Sequence, residues 1–340
     1  MTILRRFVQQ REISLLVFIV TIGVLMALTN PVFLAPGNVS GMLLALSIDG
    51  ILAVGMTILL VSGGFDLSIG SAVAFAGALA AILLSAGVPA VLVIMVVIGA
   101  GILIGSTYAV LIGRVGLNPF VTTLAGLSIL RGLTFVVTDG NNQVVTDPLF
   151  LAIGQGNFMG VPAPILYMFV AVIVGDILLR RNRFFRRNYF IGGNEKSARL
   201  SGIPVVRTRA FNYVLMATLA AIAGVILSGR VGAATLTAGT GLELRVIAAV
   251  VIGGASLAGG EGSVLGSFLG ALLLVMINNV LTLLGVSIYW QVFTIGAVLL
   301  LAVLFDRLGV VVRERSIRDQ RAARLDGRPD PAAGEGETPG

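Results

Sequence analysis

The chain has 340 residues, of which 57% are hydrophobic and 11% are charged, whereas soluble domains carry about 25% charged residues. It contains no Cys and no His, so disulfides, thiol chemistry and the commonest metal ligand and general base are excluded. The net charge is +7, and all but one of the 23 basic residues are Arg. They cluster in loops and tails, which fits orientation in a membrane better than nucleic-acid binding.

This is the composition of an all-α, polytopic helical membrane protein. Apolar runs predict about ten transmembrane segments, near 13–29, 42–62, 68–86, 89–113, 120–138, 164–180, 210–229, 244–258, 263–284 and 288–305. Arg5, Arg6 and Arg11 precede the first run. That run is longer than a signal-peptide core and no A-x-A site follows it, so an uncleaved first span is expected. Residues 67–113 hold no Asp, Glu, Lys or Arg, enough for two spans turning at Gly87-Val88-Pro89.

The stretch 62–71, SGGFDLSIGS, breaks the helical pattern. Its Asp66 has two readings. An acid at membrane depth is costly and points to a transport path; Asp-Leu-Ser before an apolar run is also good helix-capping chemistry. Asp49 and Arg131 are the other charges well inside apolar runs, and they are candidates to pair. Gly101, Gly105, Ala109 and Gly113 lie four apart on one helix face, a spacing that lets helices approach closely in lipid. We expect them to pack within one subunit rather than form a dimer seam. Asn118-Pro119 starts the fifth segment, with Asn as cap and Pro in the first turn.

Residues 139–163 hold Asp139 and Asp147 and no Arg or Lys, and are expected outside. The basic interval 180–209 has nine cations against one acid, Glu195, and is expected in the cytoplasm. Within it, residues 194–200 read as a short helix. Gly192 and Gly193 permit a sharp reversal, Asn194 caps, and Glu195 suits the helix dipole. Gly202 and Pro204 stop it. A basic lipid anchor is the alternative reading of this interval.

Glu243 and Arg245 flank the short eighth segment at its outer end. Residues 253–267 contain GGEGSVLGS, a second interruption. Gly63, Gly64, Gly70 and Ser71 align with Gly259, Gly260, Gly266 and Ser267 as a faint internal repeat; Gly-interrupted segments in two halves can mark a transport path. Gly262, Gly266 and Gly270 form another small-residue stripe. Asn278 and Asn279 lie inside the ninth segment, where amides bond either a neighbouring helix or a polyol. Tyr289 and Trp290 read as interfacial anchors. The tail 313–340 is charged and then rich in Gly, Pro and Glu, so it is expected to be disordered. The charge pattern places both termini in the cytoplasm.

The dipeptide Gly-Lys never occurs, so no phosphate-cradling G-x4-G-K-[ST] loop exists to hydrolyse ATP. The chain reads as a conduit with its energy supplied elsewhere.

Four stretches, in order, carry a resemblance: GGFDLSIG (63–70), NPFVTTL (118–124), IGGNEKSARLSGI (191–203) and AAVVIGGASLAGGEGSVLGSFLG (248–270). Together they resemble the inner-membrane permeases of bacterial ABC importers for ribose and related monosaccharides. The resemblance implies an ABC-importer permease fold, with a transmembrane domain over 1–312 and a cytoplasmic coupling loop at 180–209. It implies a cytoplasmic ATPase that uses the ATP, an external sugar-binding protein, and a second permease copy or a sister permease. The chain itself then binds no cofactor. Gly192, Gly193, Asn194, Glu195, Arg199, Leu200, Ser201, Gly202 and Ile203 become the expected ATPase-coupling residues, with Leu200 and Ile203 as apolar anchors. Asp66, Asn118, Asn278 and Asn279 are the expected path or gate residues. A branched-chain amino-acid permease of the same superfamily and an ion-coupled secondary transporter remain alternatives.

Overall fold

The computed structural model describes residues 2–301 and 304. The elements run α1 (Thr2–Thr29), α2 (Pro36–Val61), α3 (Ile69–Ser85), α4 (Ala90–Gly113), α5 (Pro119–Val137), β1 (Gln143–Val144) and α6 (Pro148–Gln155). They continue through β2 (Asn157–Phe158), β3 (Val161–Pro162), α7 (Ala163–Arg181), α8 (Arg183–Gly193), α9 (Glu195–Leu200) and α10 (Val205–Val231). The last are β4 (Ala233–Ala234), α11 (Leu242–Ile252), α12 (Val264–Leu283) and α13 (Ile288–Leu301).

Every apolar interval predicted from the sequence contains a helix. Among the described residues, seven helices are long and apolar enough to cross a membrane: α1, α2, α4, α5, α7, α10 and α12. Helices α3 and α13 are shorter, and α11 has only 11 residues. The expected eighth segment, 244–258, is therefore shortened; its second half is loop, because Gly253, Gly254, Gly259 and Gly260 cannot sustain a helix. The expected tail, 313–340, lies outside the described residues.

Helix α2 is the axis. It is buried continuously from Leu46 to Val61 and touches α7, α10, α11 and α12. Helix α10 packs along α4, α3 and α2. The glycine stripe of α4 makes this contact: a Cβ on Gly105 would lie 2.5 Å from Val214 Cα, and one on Gly101 2.7 Å from Ala221 Cβ. On α12, a Cβ on Gly270 would lie 2.0 Å from the Ala249 carbonyl of α11. Both stripes are thus filled within the chain, as expected. Glu12 latches α1 to the bundle, pairing with Arg180 at 3.1 Å and accepting from the Ser263 hydroxyl. Arg180 also pairs with Asp176 at 2.8 Å.

The expected pairing of Asp49 with Arg131 is overturned. Asp49, at the middle of α2, pairs with Arg245 of α11 at 2.8 Å. Arg131 instead donates to the carbonyls of Leu236 and Ala238, at 2.8 and 2.9 Å. The cause is the chain break before α11, which carries Arg245 to the depth of Asp49.

At one end of the bundle β1 pairs antiparallel with β4 and β2 with β3. Asp147 caps α6, accepting from Phe150 N at 2.9 Å. Tyr289 and Trp290 are exposed, as interfacial side chains would be.

Candidate functional site

The basic interval folds as two helices rather than one. Asn182 caps α8, its Oδ1 accepting from Phe184 N at 2.8 Å. Phe185, Asn188 and Ile191 are the buried side chains of α8, between its arginines. The spacing of those three residues was the available signal for a helix, and the density of charge around them hid it. Tyr189 donates to the Gly262 carbonyl at 2.8 Å. Burial pushes its phenol up to about 12, so it remains a donor.

Helix α9 forms where residues 194–200 predicted it. Asn194 Oδ1 accepts from Ser197 N at 2.9 Å, closing the cap. Gly202, at φ +76°, ends the turn after Ser201. The kink lies at Asn194 itself, extended at φ −160° and ψ 104°. Gly192 and Gly193 are the last residues of α8 and make no reversal, which corrects the sequence reading.

What Gly192 provides is close approach. A Cβ there would stand 2.0 Å from the Val61 carbonyl and 2.3 Å from Gly260 N. Gly260 N donates to that same carbonyl at 2.9 Å. A Cβ on Gly259 would lie 3.0 Å from both Gly192 Cα and Gly63 Cα. Three backbones therefore meet without side chains: the end of α2, the end of α8, and the loop between α11 and α12. Gly63, Gly259 and Gly260 all have positive φ, which disfavours any other residue. The faint repeat is thus a structural one. Its two loops touch at Gly63 and Gly259. Its later glycines each receive a carbonyl at a helix start: a Cβ on Gly70 would lie 2.1 Å from the Gly239 oxygen, and one on Gly266 2.2 Å from the Gly253 oxygen.

Helix α9 is tied to this junction by charge. Glu195 pairs with Arg199 at 2.7 Å on its own helix and with Arg209 of α10 at 2.6 Å. Arg209 Nε donates to the Ser62 carbonyl at 3.1 Å. The hydrogen bond from Arg199, helped by Arg209, holds the Glu195 carboxyl below the usual Glu range against a smaller burial effect. Arg209 was not singled out from the sequence. Its only signal was a charge immediately before the apolar run of the seventh segment.

Leu200 is 91% exposed, while Ala198 is 3% exposed and packs with Ile191 and Val205. Ile203 joins that small cluster, so of the two expected anchors it faces inward and Leu200 faces out. The helix shows solvent an apolar tip on a basic surface.

The expected path residues do not converge. Asp66 is buried, and its Oδ1 accepts from Ser68 N at 2.7 Å and Ser68 Oγ at 2.6 Å. Tyr108 donates to that Ser68 hydroxyl at 2.8 Å. Asp66 thus shapes the turn into α3 two residues before the cap position, which is Ser68. Asn118 caps α5, accepting from Phe120 N at 2.8 Å. Asn279 exchanges two amide hydrogen bonds with Asn38, at 2.7 and 3.1 Å, joining the far ends of α12 and α2. Asn278 is partly buried beside it, its carbonyl accepting from Thr282. Among the described residues no cluster of His, Cys, Asp or Glu could hold a metal ion.

Comparison with known proteins reinforces this picture. The family model described as branched-chain amino acid transport system / permease component matches residues 38–303. The ribose import permease protein RbsC of Bacillus subtilis (strain 168) is 42% identical over 286 residues, covering 84% of this chain and 89% of that protein. RbsC of Escherichia coli (strain K12) is 40% identical over 302 residues, covering 88% and 93%. The L-arabinose transport system permease protein AraH of Escherichia coli (strain K12) is 37% identical over 296 residues, covering 87% and 90%. No solved structure matches.

Proposed function

This chain belongs to the permease-component family of ABC importers, and we propose that it is the membrane conduit for a monosaccharide such as a pentose, driven by a separate ATPase. It is a sugar ABC importer permease and a multi-pass inner-membrane protein. The observation that carries the sugar reading is the near full-length match to ribose and arabinose permeases. The family description names branched-chain amino acids, whereas the near full-length relatives are ribose and arabinose permeases, so the amino-acid alternative is not favoured. An ion-coupled transporter is not favoured either, because the deepest acid, Asp49, is already neutralised by Arg245.

In the proposed mechanism both termini are cytoplasmic, and α3, α11 and α13 complete about ten membrane segments. Two permeases form the path. Leu200 and the surface around α9 dock on the ATPase. An external binding protein delivers the sugar. Closure of the ATPases moves α9, and Arg209 passes that displacement to Ser62 and the glycine junction. Backbones that touch without side chains can slide as rigid units, which suits alternating access. The sugar is released into a path that need not hold it tightly.

The test is uptake of labelled ribose, arabinose and leucine by proteoliposomes holding this permease with its cognate ATPase and binding protein. ATP-dependent pentose uptake is expected. Leucine uptake without pentose uptake sinks the sugar reading.

A further inference from the structure

Residues 235–241, which link β4 to α11, are neither helix nor strand. They nevertheless run through the depth of the bundle. Leu236 N donates to Asn142 Oδ1 at the loop end of the molecule. The carbonyls of Leu236 and Ala238 accept from Arg131, which sits roughly 9 Å inside α5 from its Val137 end at 1.5 Å per residue. Gly239 then lies against the first turn of α3, at Gly70. Arg245, in the first turn of α11, reaches Asp49, about 20 Å from either end of α2. The chain therefore descends as irregular backbone to mid-depth and becomes helical only there.

Thr237 and Thr240 on this stretch are exposed, and Arg131 and Glu243 are partly exposed. Irregular backbone cannot face hydrocarbon; it survives at membrane depth only inside protein or beside water. Half-exposed Arg and Glu obey the same constraint. This face therefore lies against water or a second copy of the permease, not lipid.

We propose that residues 235–241, with Arg131 and Glu243, form the polar lining of the passage through which the sugar crosses. This rests on the reading of the chain as a sugar importer permease. The chemistry suits a neutral polyol. Threonine hydroxyls and a carboxylate offer both donors and acceptors. Neither charge is bare. Arg131 is occupied by two carbonyls and positions the stretch. The Glu243 carboxylate lies over the first turn of α3, where its Oε2 would be 2.5 Å from a Cβ on Gly70; a helix start favours that charge.

The experiment uses the assembled importer and a small water-soluble methanethiosulfonate reagent. The chain has no Cys, so each introduced thiol is read alone. Thr237→Cys and Thr240→Cys are compared with Leu103→Cys, a position 68% exposed on α4, with and without ATP. Uptake by the parent is measured in parallel. Thiols in water ionise and react, whereas thiols in lipid do not. The two threonine positions should therefore react at least about tenfold faster than position 103 in one of the two states. Equal and slow reaction at all three positions in both states overturns the lining, whatever the parent carries. Fast reaction in an importer whose parent carries no sugar supports the watery passage and overturns the sugar reading instead.

Discussion

Arg209 and Glu195 form a 2.6 Å ion pair between α10 and α9, and the same guanidinium donates to the carbonyl of Ser62. A single side chain thus joins the exposed helix α9 to the loop that leads into α3. Both partners are partly exposed, so the pair stabilises the fold by less than about 1 kcal/mol. In the proposed mechanism its value lies in transmission. Arg209→Gln should leave insertion and melting temperature nearly unchanged and reduce uptake about tenfold, the scale of an ordinary coupling energy. Unchanged uptake would remove Arg209 from the mechanism.

The Glu195 carboxyl is held below its ordinary value of 4.5 by Arg199 and Arg209. A depressed carboxyl contributes stability that is fully present above the unfolded value and lost as pH falls through the folded one. The melting temperature of the purified permease should therefore show no Glu195-dependent change from pH 8 to pH 5. Below pH 4.5 the parent should lose stability relative to Glu195→Gln. A difference between the two proteins that keeps changing between pH 5 and pH 8 would contradict the assignment.

Leu200 and Ala198 lie two residues apart and differ completely in exposure. Leu200→Asp should change stability by less than about 0.5 kcal/mol, as surface substitutions do. It should weaken ATPase co-purification by about tenfold or more, as loss of an interface anchor does. Ala198→Asp buries a charge and should lower the melting temperature. If Leu200→Asp pulls down the ATPase and transports like the parent, α9 is not the coupling helix.

Gly192 and Gly193 separate packing from flexibility. Gly192→Ala drives a Cβ into the Val61 carbonyl and should cost about 1–3 kcal/mol, the range for overpacking. A Cβ on Gly193 meets nothing within 4 Å, so Gly193→Ala should be neutral or stabilise by up to about 1 kcal/mol. Thermal melts of the two variants decide; equal effects would refute the backbone junction.

Removing Arg245 leaves the buried Asp49 carboxylate alone, since Asp49 is the buried member of the pair. Arg245→Met should destabilise by about 3–5 kcal/mol, and the double variant Asp49→Leu/Arg245→Met should recover most of that loss. A double variant no more stable than Arg245→Met would show that the pair serves more than charge balance.

Orientation has its own test. Asn142 and Ser197 are both exposed, at opposite ends of the bundle. Asn142→Cys should react with an impermeant thiol reagent from outside intact cells, and Ser197→Cys only after lysis. The reverse pattern would invert the proposed topology.

Much of the molecule was legible in the chain because lipid and water impose local rules. An apolar run without charges must satisfy its backbone internally, so helices appear wherever those runs lie. Capping is also local: Asn118, Asp147 and Asn194 each bond an amide within three residues. Helix α9 followed from its cap and stop residues, and the four-residue spacing of Glu195 and Arg199 suits their pair. The glycine stripes of α4 and α12 announced close packing by their period, though not their partners.

Contacts between distant residues depend on how deep each segment sits, and sequence distance does not encode depth. Arg245 appeared to flank an outer loop. The break at residues 235–241 brought it down to Asp49 and left Arg131 to the carbonyls of that same stretch. The inward turn of Ile203 needed Ile191, Ala198 and Val205 to assemble around it. The composition and periodicity of the chain determined a helical membrane protein, and its motifs carried the likeness to sugar permeases. Only the tertiary structure decided that Gly63, Gly192 and Gly259 share one point, because the absence of a side chain acquires meaning only when another backbone occupies the space.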